Sequence, residues 1–355
     1  MRARVTEGRL GRTRWLGVAG ERDEAFRALG ATAAAEINGV LAKMPELADL
    51  QRRTATPPGS DVLEGVMAAT REGHATQLAE VRALAAGAGA DPELAVLANL
   101  RGDLGSEDGT GCSDLGWRRQ RSYVAHNEDG ASALRDRFMF LSLAVDGEPP
   151  VFVAWYPGFV PANSFVVTGH GLVWGIDHLT VHQPRPAPGR HFVARALQGC
   201  ASLDAAVTFL AEHPSAGGFA YTIGEFGTGR VATVESAAGR HAVTHADPDD
   251  RPLLWHTNHV KYVEDAGTGT SENSEARGCV LDDLLPPADE PDAAWFLEVL
   301  AGARVPHGVH RPYDPDQGGM TLATAVADLT AKKVAVQPAA GSVQTLPFEA
   351  LLAGP

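Results

Sequence analysis

The sequence predicts an α+β protein, and three observations carry that prediction. Residues 1–111 are rich in Ala, with apolar side chains returning at helical spacing. From Cys112 onward the period shortens to β-branched and aromatic runs parted by turn residues. Those strands follow one another in blocks instead of alternating singly with helices, which favours stacked layers over a doubly wound sheet. At 355 residues, 44% hydrophobic and 21% charged, the chain can fill one large core or two smaller ones. The change of period places a division at residue 111: a helical segment, residues 1–111, and a β-rich segment, residues 112–355, forming one folded unit.

The first helix is expected over residues 24–50, where Phe26, Leu29, Ile37, Val40, Leu41 and Met44 share roughly one face. A second is expected from Asp61, with Glu64 completing a capping box, to about Ala86. A third opens at Asp91 with Pro92 in its first position. A loop rich in Gly and Asp, residues 102–111, then leads into Cys112. Strands are expected at residues 122–126, 138–145, 151–156, 164–168 and 172–176, parted by turns such as Asp146-Gly147 and Pro157-Gly158. Residues 191–198 and 203–212 read as helices, the second capped by Ser202 and stopped by Pro214. Strands resume at residues 221–223, 230–235, 240–244 and 253–257. Residues 292–300 form a short amphipathic helix, and residues 321–329 followed by 333–337 read as helix then strand. The stretches 247–252 and 286–291, rich in Pro and Asp, look like surface loops, and no repeat or low-complexity segment is present.

Charge and composition narrow the function. The formal net charge of −14 argues against a nucleic-acid partner, and the short basic run Trp117-Arg118-Arg119-Gln120-Arg121 suits a solvated turn. No apolar run has the length of a membrane span, and the basic start lacks a signal-peptide core, so the expected location is cytoplasmic. Three scattered cysteines, Cys112, Cys200 and Cys279, argue against a disulfide framework or a Cys-rich metal site. Cys200 and Cys279 read as buried small apolar residues.

Cys112 is the candidate nucleophile. It follows Gly111 at the junction of the two segments, where a self-cleaving precursor would need its Gly-Cys bond. Cleavage there would give Cys112 a free α-amine beside its thiol, so one residue would hold a nucleophile and its base. Asn127-Glu128-Asp129 ends the next strand, where Asp129 can hydrogen-bond the amine or thiol of Cys112 and Asn127 can brace the turn; the same tripeptide also suits an ordinary turn. His256-Thr257-Asn258-His259 closes a later strand, and the Asn258 amide suits a tetrahedral oxyanion, though a plain polar turn fits too. With His178 and His182 elsewhere, His256 and His259 permit a metal site, but carboxylates at ligand-like spacing are missing and no metal is expected. Arg277 lies near Ser274 and can hold a carboxylate or orient Asp129, unless it is an ordinary surface Arg. The Gly-rich stretches 169–171 and 224–229 lack the strand–loop–helix order of nucleotide sites and read as hairpin turns.

Taken in order, these pieces resemble the isopenicillin-N acyltransferase family of N-terminal-nucleophile hydrolases, relatives of the choloylglycine hydrolases. The resemblance runs from Leu16-Gly17 and Gly20-Glu21-Arg22 through Gly111-Cys112-Ser113 to Asn127-Glu128-Asp129, where the family carries Asn-Trp-Asp or Asn-Met-Asp. It continues through Gly171-Leu172 with Asp177-His178-Leu179, Arg190-His191-Phe192 with Ala205-Ala206, Thr257-Asn258-His259, Ser274 with Arg277, and Thr321-Leu322-Ala323. It implies a four-layer αββα sandwich, self-cleavage between Gly111 and Cys112, no metal and no prosthetic group. It implies Cys112 as nucleophile, Asp129 as its hydrogen-bond partner, Asn258 as oxyanion donor and Arg277 as the nearby cation. Asp177 stands where relatives usually have Asn, and an ionised carboxylate repels an oxyanion. The substrate is therefore expected to present a cationic amine to Asp177, with Glu128 making the pocket mouth more polar and Ser274 also facing substrate.

The leading expectation is a self-processing amidohydrolase or acyltransferase, forming an acyl-enzyme on Cys112 from a linear non-peptide amide, an N-acyl amine or amino acid, or from an acyl thioester. Hydrolysis is slightly favoured because it needs one specific substrate. Two alternatives stay open: a cysteine hydrolase with His178 or His256 as base and no self-cleavage, and a small-molecule binding protein on the same fold. After cleavage the two fragments are expected to stay associated, because neither looks able to bury its apolar faces alone.

Overall fold

The computed structural model describes residues 3–105, 111–264, 268–284, 287, 290–302, 308–314, 318–339 and 341–355. The chain opens with a hairpin of β1 (Arg4–Leu10) and β2 (Thr13–Gly20), turned through Gly11 at a φ of 61°. The first third was expected to be helical throughout, so this hairpin is a correction. Strand β1 is an edge strand and mostly exposed, so its alternation lacks the apolar signal that marks a half-buried strand.

The expected helix over residues 24–50 is three helices: α1 (Arg22–Thr32), α2 (Ala34–Lys43) and α3 (Pro45–Arg53). Met44 precedes a proline and takes extended angles (φ −73°, ψ 107°), which ends α2. The helix expected from Asp61 to Ala86 is likewise two, α4 (Gly59–Gly73) and α5 (Ala75–Gly87), parted at His74 (φ −139°). Asp61 lies within the first turn of α4 and does not cap it. In α6 (Pro92–Ala98) the expected cap is present, with Asp91 accepting from the Glu93 and Leu94 amides.

After Cys112 come β3 (Ser113–Arg118), β4 (Ser122–Ala131), β5 (Met139–Val145), β6 (Val151–Trp155), β7 (Val166–Thr168) and β8 (Leu172–Leu179). Helices α7 (Arg190–Leu197) and α8 (Leu203–Glu212) intervene, and Ser202 caps α8 through the Ala205 amide. Then follow β9 (Gly218–Glu225), β10 (Val231–Ala237), β11 (Arg240–His245), β12 (Leu253–His256), α9 (Glu272–Asp282), α10 (Ala293–Leu300), β13 (Gly319–Asp328), β14 (Lys333–Pro338), β15 (Gln344–Pro347) and α11 (Phe348–Ala353). Both Gly-rich stretches are hairpin turns, between β7 and β8 and between β9 and β10. The helix expected over residues 321–329 is strand β13. Its Ala- and Thr-rich sequence lacks strong strand propensity, but β4 and β14 pair with it on either side and decide its conformation.

The described strands form two sheets. The larger has the order β1-β2-β5-β6-β7-β8-β9-β10-β11, and the smaller has β12-β3-β4-β13-β14-β15. Strand β2 runs parallel to β5, with Trp15 opposite Phe140, so residues 1–111 supply two strands to a sheet otherwise built by the second segment. The sheets face each other through β3 and β4 against β8, β9 and β10. Helices α1, α5, α7 and α8 form a layer over the larger sheet, with α1 on β2 and α8 on β9–β11. Helices α9 and α10 cover the outer face of the smaller one, where Leu281, Phe296 and Leu300 pack on Leu115, Trp117, Tyr123 and Ala125. The protein is thus α+β with four layers, αββα, as expected. Among the described residues no helix is long and apolar enough to cross a membrane.

Candidate active site

Strand register brings the site together. In the β3–β4 pair Ser113 lies opposite Asn127, so Cys112, one step further, lies beside Glu128. In the β12–β3 pair His256 lies opposite Asp114, so continuing two steps sets Asn258 beside Cys112. Helix α9 then lays Ser274, Arg277, Gly278 and Leu281 inward, at the three- and four-residue spacing of one helical face. A side chain at 278 would press on the rings of Trp255 and His259, so glycine there lets the helix approach.

The Gly111–Cys112 peptide is held from several sides. The Cys112 amide donates to Asn258 Oδ1 (2.9 Å), and Arg277 Nη2 donates to the same oxygen (2.6 Å). Arg277 Nη1 bonds the Cys112 carbonyl and Ser113 Oγ (2.8 Å). A Cβ at position 111 would stand 2.7 Å from Arg277 Nη2 and 3.0 Å from Asn258 Oδ1, so only glycine fits without displacing them. A groove of about 220 Å³ opens here, lined among others by Gly111, His178, Thr180, Asn258, Arg277 and Arg311.

Cys112 is 5% exposed, and its thiol faces Glu128 Oε1 at 3.7 Å and the Asp129 carbonyl at 4.0 Å. Burial pushes the thiol pKa well up, and the charges of Glu128, Asp177 and Asp129 push it further. The thiol is therefore protonated at neutral pH and needs a base in order to react.

Glu128 is tied into a polar seam between the sheets. Tyr156 Oη donates to its Oε1 (2.5 Å), Ser164 Oγ donates to its Oε2, and His126 Nε2 meets Oε2 at 2.9 Å. His126 Nδ1 meets Asp114 Oδ1 at 2.7 Å. Glycine at 175 lets the larger sheet close over this pair, since a Cβ there would collide with Asp114 Oδ1 and His126. A second imidazole, His256, bridges Asp177 (3.2 Å) and Glu235 (2.8 Å), and Glu235 also accepts from the amides of Lys261, Tyr262 and Val263. Burial alone would lower the two histidines, but their carboxylate partners outweigh it and raise His126 to about 10 and His256 to about 9. Burial lifts Asp114 to about 6, with Asp177 adding to the rise and His126 opposing it.

Several expected contacts are placed differently. Asp129 meets the thiol through its backbone carbonyl. Its carboxylate accepts from Thr321 (2.6 Å) and makes no hydrogen bond to Cys112 among the described residues. Burial raises that carboxyl to about 7 against the pull of Arg277. Asn127 lies within β4 and not in a turn. Its side chain bonds the Leu300 carbonyl (2.8 Å) and Thr324 (2.6 Å), on the helix side of the sheet, because strand alternation turns it away from Glu128. Glu128 is buried against the thiol and not at a pocket mouth. Ser274 bonds Thr257 (3.1 Å) and His259 (2.9 Å) and does not line the groove. Asp177 is fully buried with His256 as its neighbouring cation, so a substrate amine is not needed to balance it. Asn258 Nδ2 donates to the His178 carbonyl (3.0 Å) at the groove wall. Cys279 is exposed and Cys200 half-buried, so neither is a core residue.

The sequence model of the acyl-coenzyme A:6-aminopenicillanic acid acyl-transferase family matches residues 117–341, more than half of the chain. The chain belongs to this family. The resemblance seen in its motifs is therefore borne out, and the general reaction is acyl transfer from or to an amide. Among the curated proteins none matches this acyl-transferase family member significantly in sequence. Among solved structures it is distantly similar to a mutant conjugated bile acid hydrolase from Clostridium perfringens (9% identity, TM-score 0.44, covering 68% of this chain and 94% of that one). It is similar at the same level to a penicillin V acylase from Agrobacterium tumefaciens (15% identity, TM-score 0.42, covering 67% and 86%).

Sequence reasoning about this acyl-transferase family member missed His126, Asp114, Tyr156, Ser164 and Glu235. The spacing His126-Asn127-Glu128 held a signal, since alternate strand residues share a face. It also missed carboxylates near histidines: Cys112 with His126 and Glu128, and Asp114 with His126 and Asp177, bring ligand-type atoms within 4.8 Å of one another. Both groups use His126 nitrogens that already bond carboxylates, so a metal would have to displace those bonds. The histidines first considered as ligands are dispersed: His256 sits in the seam and His259 against Ser274.

Proposed function

We propose that the chain cleaves itself between Gly111 and Cys112 and that the freed Cys112 is the nucleophile of an amidohydrolase or acyltransferase. The observation that carries this reading is the clamp around Cys112: Asn258 accepts from the amide of the Gly111–Cys112 bond, Arg277 holds both Asn258 and the following Cys112 carbonyl, and Gly111 lines the groove. Once cleaved, Cys112 has an α-amine to take the thiol proton. Sγ then attacks the carbonyl of a linear C–N amide or acyl thioester bound in the groove, and the Asn258 amide with Arg277 stabilises the oxyanion. The amine leaves, and water or a second amine takes the acyl group from sulfur. Hydrolysis of N-acyl amines or amino acids is the favoured outcome, since it needs one specific substrate. Arg277 and Arg311 on the groove wall suit a substrate with a carboxylate. Residues 1–111 and 112–355 stay together after cleavage, held by the β2–β5 pairing and the shared core. A reducing cytoplasm keeps such a thiol active.

The test is to incubate the protein with a panel of linear N-acyl amino acids and follow amine release alongside intact mass. The expected result is an acyl adduct on the fragment that begins at Cys112, absent in Cys112→Ser. Turnover that survives Cys112→Ser contradicts the assignment.

A further inference from the structure

In the uncut chain the nitrogen of Cys112 is an amide, so the α-amine that serves the mature enzyme does not yet exist. The proton on the buried thiol needs another acceptor. Among the described residues two acceptors lie within hydrogen-bond reach of Sγ, the Glu128 carboxylate at 3.7 Å and the Asp129 backbone carbonyl at 4.0 Å, while His126, with a nitrogen within 4.8 Å, has both nitrogens engaged by Asp114 and Glu128. A peptide carbonyl cannot hold a proton at neutral pH, and the Asp129 carboxylate is turned to Thr321. The Glu128 carboxylate is fixed at every other edge: Ser164 and His126 hold Oε2, Tyr156 holds the far side of Oε1, and Asp114 holds His126. What remains open on Oε1 points at sulfur. The seam also keeps the site deaf to solvent, since Asp114, His126 and Glu128 are all buried.

We propose that Glu128 is the catalytic base of self-cleavage, accepting the Cys112 thiol proton in the uncut chain, with His126 and Asp114 as positioning residues that hold its carboxylate. This rests on the self-cleavage proposed above. The proton passes from Sγ to Glu128 Oε1 as sulfur bonds to the Gly111 carbonyl carbon. The electron pair moves to the carbonyl oxygen and returns as the C–N bond breaks. The nitrogen leaves as the Cys112 amine, taking back the proton that Glu128 held. Water then hydrolyses the Gly111–Cys112 thioester, giving the Gly111 carboxylate and the free thiol. Maturation and turnover thus use the same nucleophile with different bases.

The test follows full-length chain made by cell-free synthesis, shifted to buffers between about pH 6 and 9, with uncut chain measured on denaturing gels. Glu128→Gln is expected to cut about 100-fold or more slowly near neutral pH, the usual reach of a positioned base. Its rate is expected to climb with pH, because thiolate then forms only by losing its proton to solvent. Glu128→Asp, which keeps a carboxylate, restores part of the rate, and His126→Gln shifts the pH profile while keeping the chain folded by circular dichroism. A folded Glu128→Gln chain that cuts at the wild-type rate with the wild-type pH profile overturns the proposal. If Glu128→Gln does not fold, wild-type cutting by both Glu128→Asp and His126→Gln overturns it equally. If wild type stays whole, or Cys112→Ala cuts, self-cleavage itself is wrong and Glu128 has no such step to serve.

Discussion

Arg277 is the side chain that ties down most of the backbone surroundings of Cys112. Its guanidinium fork meets Asn258, the Cys112 carbonyl and Ser113 at once, while burial lowers its pKa against the pull of Asp129 and Asp177. A lysine presents a single point charge and cannot span those acceptors. Arg277→Lys is therefore expected to slow amide turnover about 100-fold, a loss comparable to removing one oxyanion donor. Steady-state kinetics on the same protein with its fold checked by circular dichroism reads it; an unchanged kcat/KM removes Arg277 from the mechanism. Gly111→Ala tests the clamp from the other side. The new methyl stands 2.7 Å from Arg277 Nη2, so the chain is expected to fold but accumulate uncut, which intact mass reads directly.

At the scale of elements, conformation follows capping where the cap residue is explicit and follows pairing where it is not. Asp91 and Ser202 signal their helices in the sequence, and both cap as expected. Ser202→Ala is expected to cost about 1 kcal/mol, measured by denaturant unfolding. Strand β13 shows the opposite case. Its composition suits a helix, and only its two strand neighbours reveal what it is. It matters to the site because Thr321 on β13 supplies the hydrogen bond to the buried Asp129 carboxylate. Thr321→Val keeps the shape and removes that donor, so stability is expected to fall by about 1–3 kcal/mol, the cost of stranding a buried polar group. A variant as stable as wild type would mean that Asp129 is satisfied otherwise. Cys112, Asn258 and Arg277 were legible as candidates because each stands beside a recognisable local pattern, and the structure brings the three together. The seam was not, because Asp114, Glu235 and Tyr156 reach it only through sheet register and sheet stacking, which no local pattern encodes.

Across the whole molecule, two imidazoles and four carboxylates share the space between the sheets, and this sets how stability responds to pH. His126 rises from an ordinary 6.5 to about 10 and His256 to about 9 on folding. A group whose pKa is raised in the folded state binds more protons there, so its contribution is full below 6.5 and is lost as pH climbs through 9 to 10. His126 faces Asp114 and Glu128 on its own sheet, with Asp177 and His256 close by, and the raised Asp114 and Asp129 carry the same sign at lower pH. Unfolding free energy is thus expected to fall between about pH 7 and 10, with a shallower slope in His126→Gln. A flat profile in wild type would mean that the seam is neutral. The change of period suggests a division at residue 111, but the interlock was not legible: β1 and β2 bind the first segment into the larger sheet, so chains cut there should elute as one particle. The most direct measurement of the central claim is intact mass and denaturing electrophoresis of purified wild type and Cys112→Ala. The account predicts fragments of residues 1–111 and 112–355 from wild type and a single whole chain from the variant. A whole wild-type chain that turns over amides would contradict it.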